Sequence, residues 1–371
     1  MMDEGCGKQR TGVGRTRSSC CAAQATLLRA LLRPLASVYG LAVRARIVLY
    51  ERGWLARRRL PCRVISVGNL TVGGTGKTPM VIWLAERLLA QGLRVAVLSR
   101  GYRRQSGAPF LLVSDGRTVL AGAAEAGDEP YLIARRCPAA VVAVGGDRYR
   151  LGQWVLKGFP IDCMVLDDGF QHVALQRDVD LLLVDASDPM SLRALLPAGR
   201  LREPLAAAGR ATALLLTRVD MAEDLGQVLG PIKSAAVLKS RPILVRFKPE
   251  GVMDLRTGEN VPVESVAGRT ALVFSGIANP ASFTTVLTRL GVKILDELVF
   301  PDHYAYRDRD MGLIGERAKQ CQAEMVVTTE KDAGKIAPLL SHGDQGPRIM
   351  ALRIGAEVME GREQLEEVLS F

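Results

Sequence analysis

The stretch VGNLTVGGTGKTP, residues 67–79, follows the short apolar run RVISV (63–67) and leads into the helical pattern KTPMVIWLAERLLAQG (77–92). A second strand pattern, LRVAVLS (93–99), comes next. Strand, glycine-rich loop, helix and strand in this order are typical of a loop that binds nucleotide phosphates. The usual pattern G-x-x-x-x-G-K-[ST] begins with a glycine, and Thr71 stands at that position. The sequence therefore predicts an α/β fold built around a variant phosphate loop.

The loop can bind an anion without that first glycine. Consecutive backbone N–H groups from Gly73 to Thr78 can surround phosphate oxygens, and the N-terminus of the following helix adds a favourable dipole. Lys77 is predicted to reach the β- and γ-phosphates, and the Thr78 hydroxyl is predicted to bind Mg²⁺. The predicted ATP-binding residues are Gly73, Gly74, Thr75, Gly76, Lys77 and Thr78.

A pair of acidic residues follows another apolar strand pattern. The stretch IDCMVLDDGFQH (161–172) ends its strand in Asp167 and Asp168. Phosphate-loop enzymes hold Mg²⁺ partly through an acidic residue at such a strand end, so one of this pair is predicted to bind the metal. The pattern does not choose between the two, and a simple polar turn after the strand is the alternative.

Arginine-bearing loops follow two further strands. The stretch GGDRYR (145–150) offers Arg148, and LLPAGRLREP (195–204) offers Arg200 and Arg202. One such arginine alone is usually a solvated surface charge. Several of them after parallel strands predict an anionic ligand in addition to the nucleotide.

Phosphoryl transfer to a hydroxyl needs a group that accepts its proton. In AGDEPYL (126–132), Asp128 precedes a predicted helix, and the local pattern alone favours a helix N-cap over a catalytic role. In FPDHYAY (300–306), Asp302 stands beside His303 and could orient it as an acid–base group. A lone loop histidine is more often structural or solvated, so both interpretations stay open.

Two other motifs carry weaker signals. The stretch TRVD (217–220) is similar to the base-reading element of GTPases, with arginine in place of lysine, and is otherwise a plain strand end. The stretch TTEKDAGK (328–335) predicts the capped start of a helix with solvated lysines.

Positive charge is concentrated at the N-terminus. The 371-residue chain has a net charge of +10, and its first sixty residues hold twelve Lys and Arg against three acids. The remainder is nearly neutral. No nucleic-acid partner is expected. The seven cysteines are scattered and form no metal-binding or disulfide pattern, which indicates a reducing compartment.

The N-terminal segment has two interpretations. Residues 1–20 are predicted to be disordered, and residues 21–60 are predicted to form amphipathic helices in which arginines interrupt leucines. Such a segment can lie in a membrane interface with its basic residues on anionic headgroups. The alternative is a helix pair docked on the core of the protein. The longest charge-free apolar run, residues 34–43, is too short to span a bilayer, which needs about 20 residues.

The remaining pattern predicts two α/β domains. The phosphate loop belongs to a domain over residues 61–236, and residues 237–267 are predicted to form linker strands resembling a β-hairpin. A second, smaller α/β domain over residues 268–371 alternates strands and helices without another glycine-rich phosphate loop.

Taken together, these stretches resemble the tetraacyldisaccharide 4′-kinase family, the lipid A 4′-kinases of Gram-negative bacteria. The matching motifs run in order from residue 67 to residue 333, and they are VGNLTVGGTGKTP, LSRGYRR, GDEP, GGDRYR, LDDGFQH, PAGRLREP, FPDHYAY and TEKDA. The phosphate loop of this family has the same form, with no glycine at the position of Thr71.

The resemblance implies a P-loop NTPase-type parallel sheet domain and an enzyme at the cytoplasmic face of the bacterial inner membrane. ATP with Mg²⁺ would supply the γ-phosphate. The acceptor would be the 4′-hydroxyl of a tetraacyldisaccharide 1-phosphate, a lipid substrate, and the product would be lipid IV-A. The resemblance also implies that residues 21–60 contact the anionic membrane surface.

It further implies roles for individual residues. Asp128 would be the catalytic base, paired with His303 from the second domain, and Asp302 would orient that histidine. Lys77 would act on the transferred phosphate, and Thr78 with Asp167 or Asp168 would bind Mg²⁺. Contacts with substrate or phosphate are implied for Asn69, Arg148, Gln171, His172 and Arg200. The loop holds two arginines, so the choice between Arg200 and Arg202 stays open.

Two other functions remain as alternatives. A P-loop GTPase or ATPase of the metallochaperone type is consistent with TRVD, but Val72 stands where the K-G-G-x-G-K-T loop of that class has lysine. A nucleotide-gated scaffold at a membrane surface would bind without turnover, and it leaves Asp128 and His303 without a task.

Overall fold

The structure is a computed structural model that describes residues 16–340 and 347–370, with side chains described from residue 31 onward. Its strands form a mixed, largely parallel sheet. The strands are β1 (Arg63–Asn69), β2 (Val95–Ser99), β3 (Phe110–Asp115), β4 (Val141–Gly145), β5 (Cys163–Asp167), β6 (Val179–Asp185), β7 (Ala213–Thr217), β8 (Ile243–Asp254), β9 (Asn260–Val261), β10 (Thr270–Ser275), β11 (Lys293–Val299), β12 (Met325–Thr329) and β13 (Arg348–Glu360).

Helices connect most of these strands. They are α1 (Thr16–Glu51), α2 (Lys77–Ala90), α3 (Ala123–Ala126), α4 (Asp128–Arg136), α5 (Arg148–Gly158), α6 (Gly226–Ala235), α7 (Pro280–Arg289), α8 (Asp308–Gln320), α9 (Glu330–Ile336) and α10 (Arg362–Leu369). Short 3₁₀ turns cover Pro189–Leu192, Leu205–Arg210, Val219–Met221, Val263–Val266 and Ala337–Leu339.

The strand order across the sheet is β11-β10-β12-β13-β8-β7-β6-β1-β5-β2-β4-β3, and β9 pairs with β8. All neighbours are parallel except the pairs β3–β4, β8–β13 and β8–β9. The central strands are buried along their whole length, as expected for parallel strands covered on both faces. The predicted α/β class with a parallel sheet is confirmed.

Strand β1 positions the phosphate loop. It lies between β5 and β6, and its side chains alternate between the two faces of the sheet. Ile65 and Val67 pack with residues of α2, whereas Val64 packs with residues of α5. The chain leaves the carboxyl end of β1 and enters α2 at Lys77, which places the loop at the edge where ligands of such sheets bind.

Strands β8 and β13 join the two halves of the sheet. They are 12 and 13 residues long and pair antiparallel over most of their length. The segment predicted as linker strands, 237–267, forms β8 and β9, which pair as a hairpin. Strand β8 also pairs with β7, so the same segment continues the sheet. The domain boundaries themselves stay a prediction.

The N-terminal segment forms a single helix, α1, rather than a helix pair. Of the extension predicted to be disordered, residues 1–15 lie outside the described residues, and α1 begins at Thr16. Ala36 and Gly40 face the protein, where Gly40 packs against Leu195. Within residues 16–340 and 347–370, none of the helices contains an apolar stretch of the length that a bilayer requires.

Candidate active site

The phosphate loop depends on glycine at two positions. Gly73 has φ 120° and Gly76 has φ 83°, a backbone region that side chains rarely adopt. A Cβ atom on Gly76 would also collide with the ring of Phe247, which reaches the loop from β8. The segment predicted as a linker therefore touches the loop directly.

Lys77 is held at the mouth of this loop by two oxygen atoms. Its Nζ lies 3.3 Å from Oδ1 of Asn69 and 3.5 Å from Oδ1 of Asp168. Asn69 is fully buried, and its amide Nδ2 donates a hydrogen bond to Oγ1 of Thr75 at 2.8 Å. Asn69, which was predicted to contact substrate, therefore connects the end of β1 to Lys77 and to Thr75 of the loop.

The two acidic residues after β5 have opposite environments. Asp167 is 5% exposed, and its carboxylate accepts a hydrogen bond from Oγ of Ser99 at 2.8 Å. Burial, followed by the negative charges of Asp168 and Glu129, raises the pKa of Asp167 to about 6. Asp167 therefore carries a charge that no cation among its described contacts neutralises.

Asp168 is instead compensated by cations. Arg202 donates two hydrogen bonds to its carboxylate at 2.7 and 2.9 Å, and the same guanidinium donates to Oδ1 of Asn69. Burial opposes ionisation of Asp168, but the hydrogen bonds from Arg202 and the charge of Lys77 hold its pKa below the usual range. A forked arginine on a carboxylate is among the stronger polar contacts in proteins.

Asp128 and His303 are brought together although 175 residues separate them in sequence. Nδ1 of His303 lies 3.1 Å from Oδ2 of Asp128, and Nζ of Lys335 lies 3.4 Å from the same oxygen. Asp128 is the first residue of α4, and Gly127 occupies the N-cap position, so the Asp128 carboxylate does not cap the helix. Burial opposes its ionisation, but the hydrogen bond from His303 and the charge of Lys335 lower the pKa of Asp128.

The other ring nitrogen of His303 faces a cluster of charges. Nε2 lies 3.4 Å from Nζ of Lys331, 3.6 Å from Oε1 of Glu129 and 3.7 Å from Oδ2 of Asp302. Asp302 contacts Lys331 at 3.3 Å. The Asp302 carboxylate is thus beyond hydrogen-bond distance of the ring, and its orienting role stays a prediction.

Three of the predicted substrate residues lie near the acidic pair. Arg148 is buried and donates from Nη1 to the carbonyl of Gly145 at 2.8 Å, and burial lowers its pKa to about 10. The side chain of Gln171 donates to the carbonyl of Asn69 at 2.9 Å. Burial and the charge of Arg148 lower the pKa of His172 to about 4, so its ring is neutral at pH 7.

The structure separates the roles of the two arginines that the sequence left open. Arg202 binds Asp168, whereas Arg200 donates from Nε to the carbonyl of Val72 at 3.2 Å and forms an ion pair with Asp188. Arg200 therefore touches the phosphate loop itself.

Sequence reasoning missed several residues of this site. Lys331 and Lys335 were predicted to be solvated, but their side chains are only 19% and 10% exposed. Their spacing of four residues puts them on one helix face, which is the signal that could have found them. Arg218 of TRVD donates to the carbonyl of Gly74 at 2.8 Å and so contacts the loop.

Replacing Asp167 and Asp168 one at a time by asparagine should change the free energy of unfolding in opposite directions. The raised pKa of Asp167 means that its charge destabilises the fold above its unfolded pKa of about 4, fully so above pH 6. One pKa unit corresponds to about 1.4 kcal/mol, so Asp167→Asn should increase the free energy of unfolding at pH 8 by roughly 1 to 3 kcal/mol.

The lowered pKa of Asp168 has the reverse sign: its stabilisation is complete above the unfolded pKa of about 4 and is lost progressively as pH falls toward the folded-state pKa. Asp168→Asn should therefore lower stability at pH 8, because it leaves Arg202 without its carboxylate. Urea denaturation at pH 8 and pH 4.5 measures both variants. Equal changes in the two variants would contradict this assignment of charges.

The chain is similar to known proteins in both sequence and fold. The sequence profile of the tetraacyldisaccharide-1-P 4′-kinase family matches residues 28–370. The tetraacyldisaccharide 4′-kinase of Pelobacter propionicus is 44% identical over 84% of this chain and 84% of its own length, and that of an Anaeromyxobacter species is 42% identical over 91% of each.

A crystal structure of LpxK from Aquifex aeolicus, an "apo" form in complex with ATP, is 35% identical in sequence to this chain. Its TM-score is 0.74, with 92% of this chain and 98% of that chain covered. Both the sequence motifs and the fold thus point to the same group of phosphate-transferring enzymes, and the chain belongs to the tetraacyldisaccharide-1-P 4′-kinase family.

Proposed function

We propose that this chain transfers the γ-phosphate of ATP to the 4′-hydroxyl of a tetraacyldisaccharide 1-phosphate and forms lipid IV-A. Family membership supports the reaction, and the contact between Asp128 and His303 is the observation in the site that carries it. Neither a metallochaperone-type NTPase nor a scaffold requires a carboxylate–imidazole pair assembled from two distant segments.

Asp128 is the proton acceptor in this proposal. Its lowered pKa keeps the carboxylate ionised at neutral pH, so it can take the proton of the attacking hydroxyl. His303 stabilises and orients this carboxylate through Nδ1. His303 itself has φ 60°, a left-handed conformation that costs free energy in a non-glycine residue and is often found at functional sites.

The loop and its neighbours hold the nucleotide. The residues Gly73, Gly74, Thr75, Gly76, Lys77 and Thr78 bind its phosphates, with Lys77 exchanging the carboxylate of Asp168 for phosphate oxygens. The hydroxyl of Thr78 and the carboxylates of Asp167 and Asp168 are the oxygen donors that Mg²⁺ prefers. Asp167 is the better ligand of the two, because it forms no ion pair with a described residue and a cation would relieve its repulsion with Asp168.

Bound Mg²⁺ would neutralise charge on the phosphates. The chain supplies further cations around them, since Arg200 contacts the loop and Arg148 is buried near the acidic pair. The uncharged polar groups proposed around the phosphates and the acceptor are Asn69, Gln171 and His172. Together these residues orient the nucleotide and the acceptor for in-line transfer.

Helix α1 provides the surface through which the enzyme binds the membrane that contains its lipid substrate. Its outward face carries Leu31, Leu35, Val38 and Leu41, with exposed fractions from 59% to 69%. Arg33 and Arg44 are exposed on the same helix. An apolar face flanked by arginines suits the interface of an anionic membrane. The location supported by these features and by the family is the cytoplasmic face of the bacterial inner membrane.

The inner face of the same helix links this surface to the site. Oη of Tyr39 donates a hydrogen bond to the carbonyl of Arg202 at 2.9 Å, and Arg46 approaches the carbonyl of Gln171 at 3.5 Å. A lipid headgroup bound at the inner face of α1 would therefore lie near the residues predicted to contact substrate.

The direct test supplies γ-labelled ATP, Mg²⁺ and a tetraacyldisaccharide 1-phosphate in mixed micelles. The expected product is a bisphosphorylated disaccharide that carries the label, detected by thin-layer chromatography and mass spectrometry. Lys77→Ala should lower kcat by about 100-fold or more, because it removes a cation from the transferred phosphate. Lys157→Ala, which changes an exposed lysine of α5, is the matched control and should have wild-type activity. ATP hydrolysis without labelled lipid would refute the proposal.

Membrane contact is tested by replacing Leu31, Leu35, Val38 and Leu41 together with serine. Because these side chains are exposed, the variant should fold normally. Flotation with anionic vesicles should weaken by about tenfold or more, since each buried apolar side chain contributes on the order of 1 kcal/mol. Serine at Leu295, Val299 and Leu313, which are exposed in the second half of the chain, is the control and should leave flotation unchanged. Equal flotation of both variants would show that α1 does not make the contact.

A further inference from the structure

Two lysines of α9 contact the Asp128–His303 pair from the second half of the chain. Lys335 lies 3.4 Å from Oδ2 of Asp128 and 2.8 Å from Oδ1 of Asp332. Lys331 lies 3.0 Å from Oε1 of Glu129. The side chains of both lysines are largely buried. Burying a charged lysine costs free energy unless it is paired with an opposite charge or hydrogen-bonded.

Asp128 and Lys331 together determine which nitrogen of His303 carries the proton, because the carboxylate at Nδ1 can only accept and the ammonium at Nε2 can only donate. An ammonium group has only donors, so at 3.4 Å it makes Nε2 of His303 the acceptor. The proton of the neutral ring then sits on Nδ1, which donates to Asp128. Glu129 and Asp302 are farther from Nε2 and are themselves held by Lys331.

The charge of Lys331 is stabilised by its neighbours. Burial favours the neutral amine, but the carboxylates of Glu129 and Asp302 raise the pKa of Lys331 above its usual value. The ammonium form persists at neutral pH, so the acceptor role of Nε2 persists with it.

Lys335 acts on the carboxylate directly. Its ammonium and Nδ1 of His303 both approach Oδ2 of Asp128, which leaves Oδ1 for the acceptor hydroxyl. The ring of Tyr306 lies beside the same ammonium, with the nitrogen 5.2 Å from the ring centroid. Burial raises the pKa of Asp128, whereas His303 from the loop after β11 and Lys335 and Lys331 from α9 lower it.

Close packing of α9 on α4 makes these contacts possible. A Cβ atom at Gly334 would lie 2.8 Å from the ring of Tyr131, so glycine permits the approach. One turn away, Glu330 accepts from Nη1 of the buried Arg136 at 2.9 Å and fixes the two helices to each other. Glu330 has no described contact with Asp128 or His303, which makes it a useful control.

We propose that Lys331 and Lys335 are positioning residues of the proton-accepting unit. Lys335 keeps the Asp128 carboxylate charged and oriented, and Lys331 fixes the tautomer of His303 that donates to it. This proposal rests on the phosphate transfer proposed above, in which Asp128 accepts the proton.

The test compares Lys335→Met with Lys335→Arg at saturating ATP and lipid across a range of pH. Lys335→Met should lower kcat by about 10- to 100-fold, part of what general-base assistance supplies, with the KM for ATP little changed. Activity falls at low pH as Asp128 binds a proton. Without the ammonium the carboxylate binds that proton more tightly. In a plot of kcat against pH, the acidic limb, where activity falls as pH decreases, should therefore move to higher pH. Lys335→Arg keeps the charge and should retain the wild-type limb.

The matched control is Glu330→Gln, which removes the charge from the Arg136–Glu330 contact but keeps an oxygen that can accept from Arg136, so α9 stays docked on α4 and no charge in contact with Asp128 changes. It should lower the melting temperature and leave the acidic limb in place. Lys335→Met could instead behave like Glu330→Gln, with a loss of kcat that follows the loss of thermal stability and an acidic limb at the wild-type pH. In that case Lys335 is only structural and the proposal is wrong.

The tautomer is measured without activity, by ¹⁵N NMR of histidine-labelled protein, which has three histidines. His303→Gln identifies the signal of His303. The wild-type signal should be that of the Nδ1–H form, and Lys331→Met should give a mixture of tautomers. A wild-type ring protonated on Nε2 would overturn the proposal even if the enzyme is active. A wild-type protein that transfers no phosphate, with the Nδ1–H form present, would instead refute the proposed function.

Discussion

The contact between Asp128 and His303 depends on how the sheet is assembled. Asp128 begins α4, which follows β3, whereas His303 follows β11 at the opposite end of the strand order. The antiparallel pairing of β8 with β13 joins the strands of the two halves into one sheet. The packing of α4 on α9, fixed by Arg136 and Glu330, then brings the carboxylate to the imidazole.

Charge links the two parts of the site. On one side Lys77 and Arg202 compensate Asp168. On the other side Lys331 and Lys335 compensate the acidic groups around His303. Glu129 belongs to both sides, since it pairs with Lys331 and its charge contributes to the raised pKa of Asp167. Glu129 is thus a charged group that interacts with both parts of the site.

Local patterns were sufficient for β1, the phosphate loop and α2, because glycine positions and hydrophobic spacing act within a few residues of sequence. The proximity of Asp128 and His303 was expected only from the family resemblance, since no local pattern tells which loops meet across the sheet. The burial of Lys331 was missed for the same reason, because it depends on α4 packing over α9. The distinction between Arg200 and Arg202 depends on the pairing of Leu201 with Thr71, which sequence alone does not reveal.

The central claim is that Asp128 and His303 act as one unit, and a double-mutant cycle on kcat tests it most directly. Asp128→Ala and His303→Ala should each lower kcat by about 10²- to 10⁴-fold. Because groups that act as a unit are not additive, the double mutant should be hardly slower than the worse single mutant. Melting curves of all three variants run beside the kinetics. Losses in kcat that multiply in the double mutant and follow the loss of thermal stability would contradict the account.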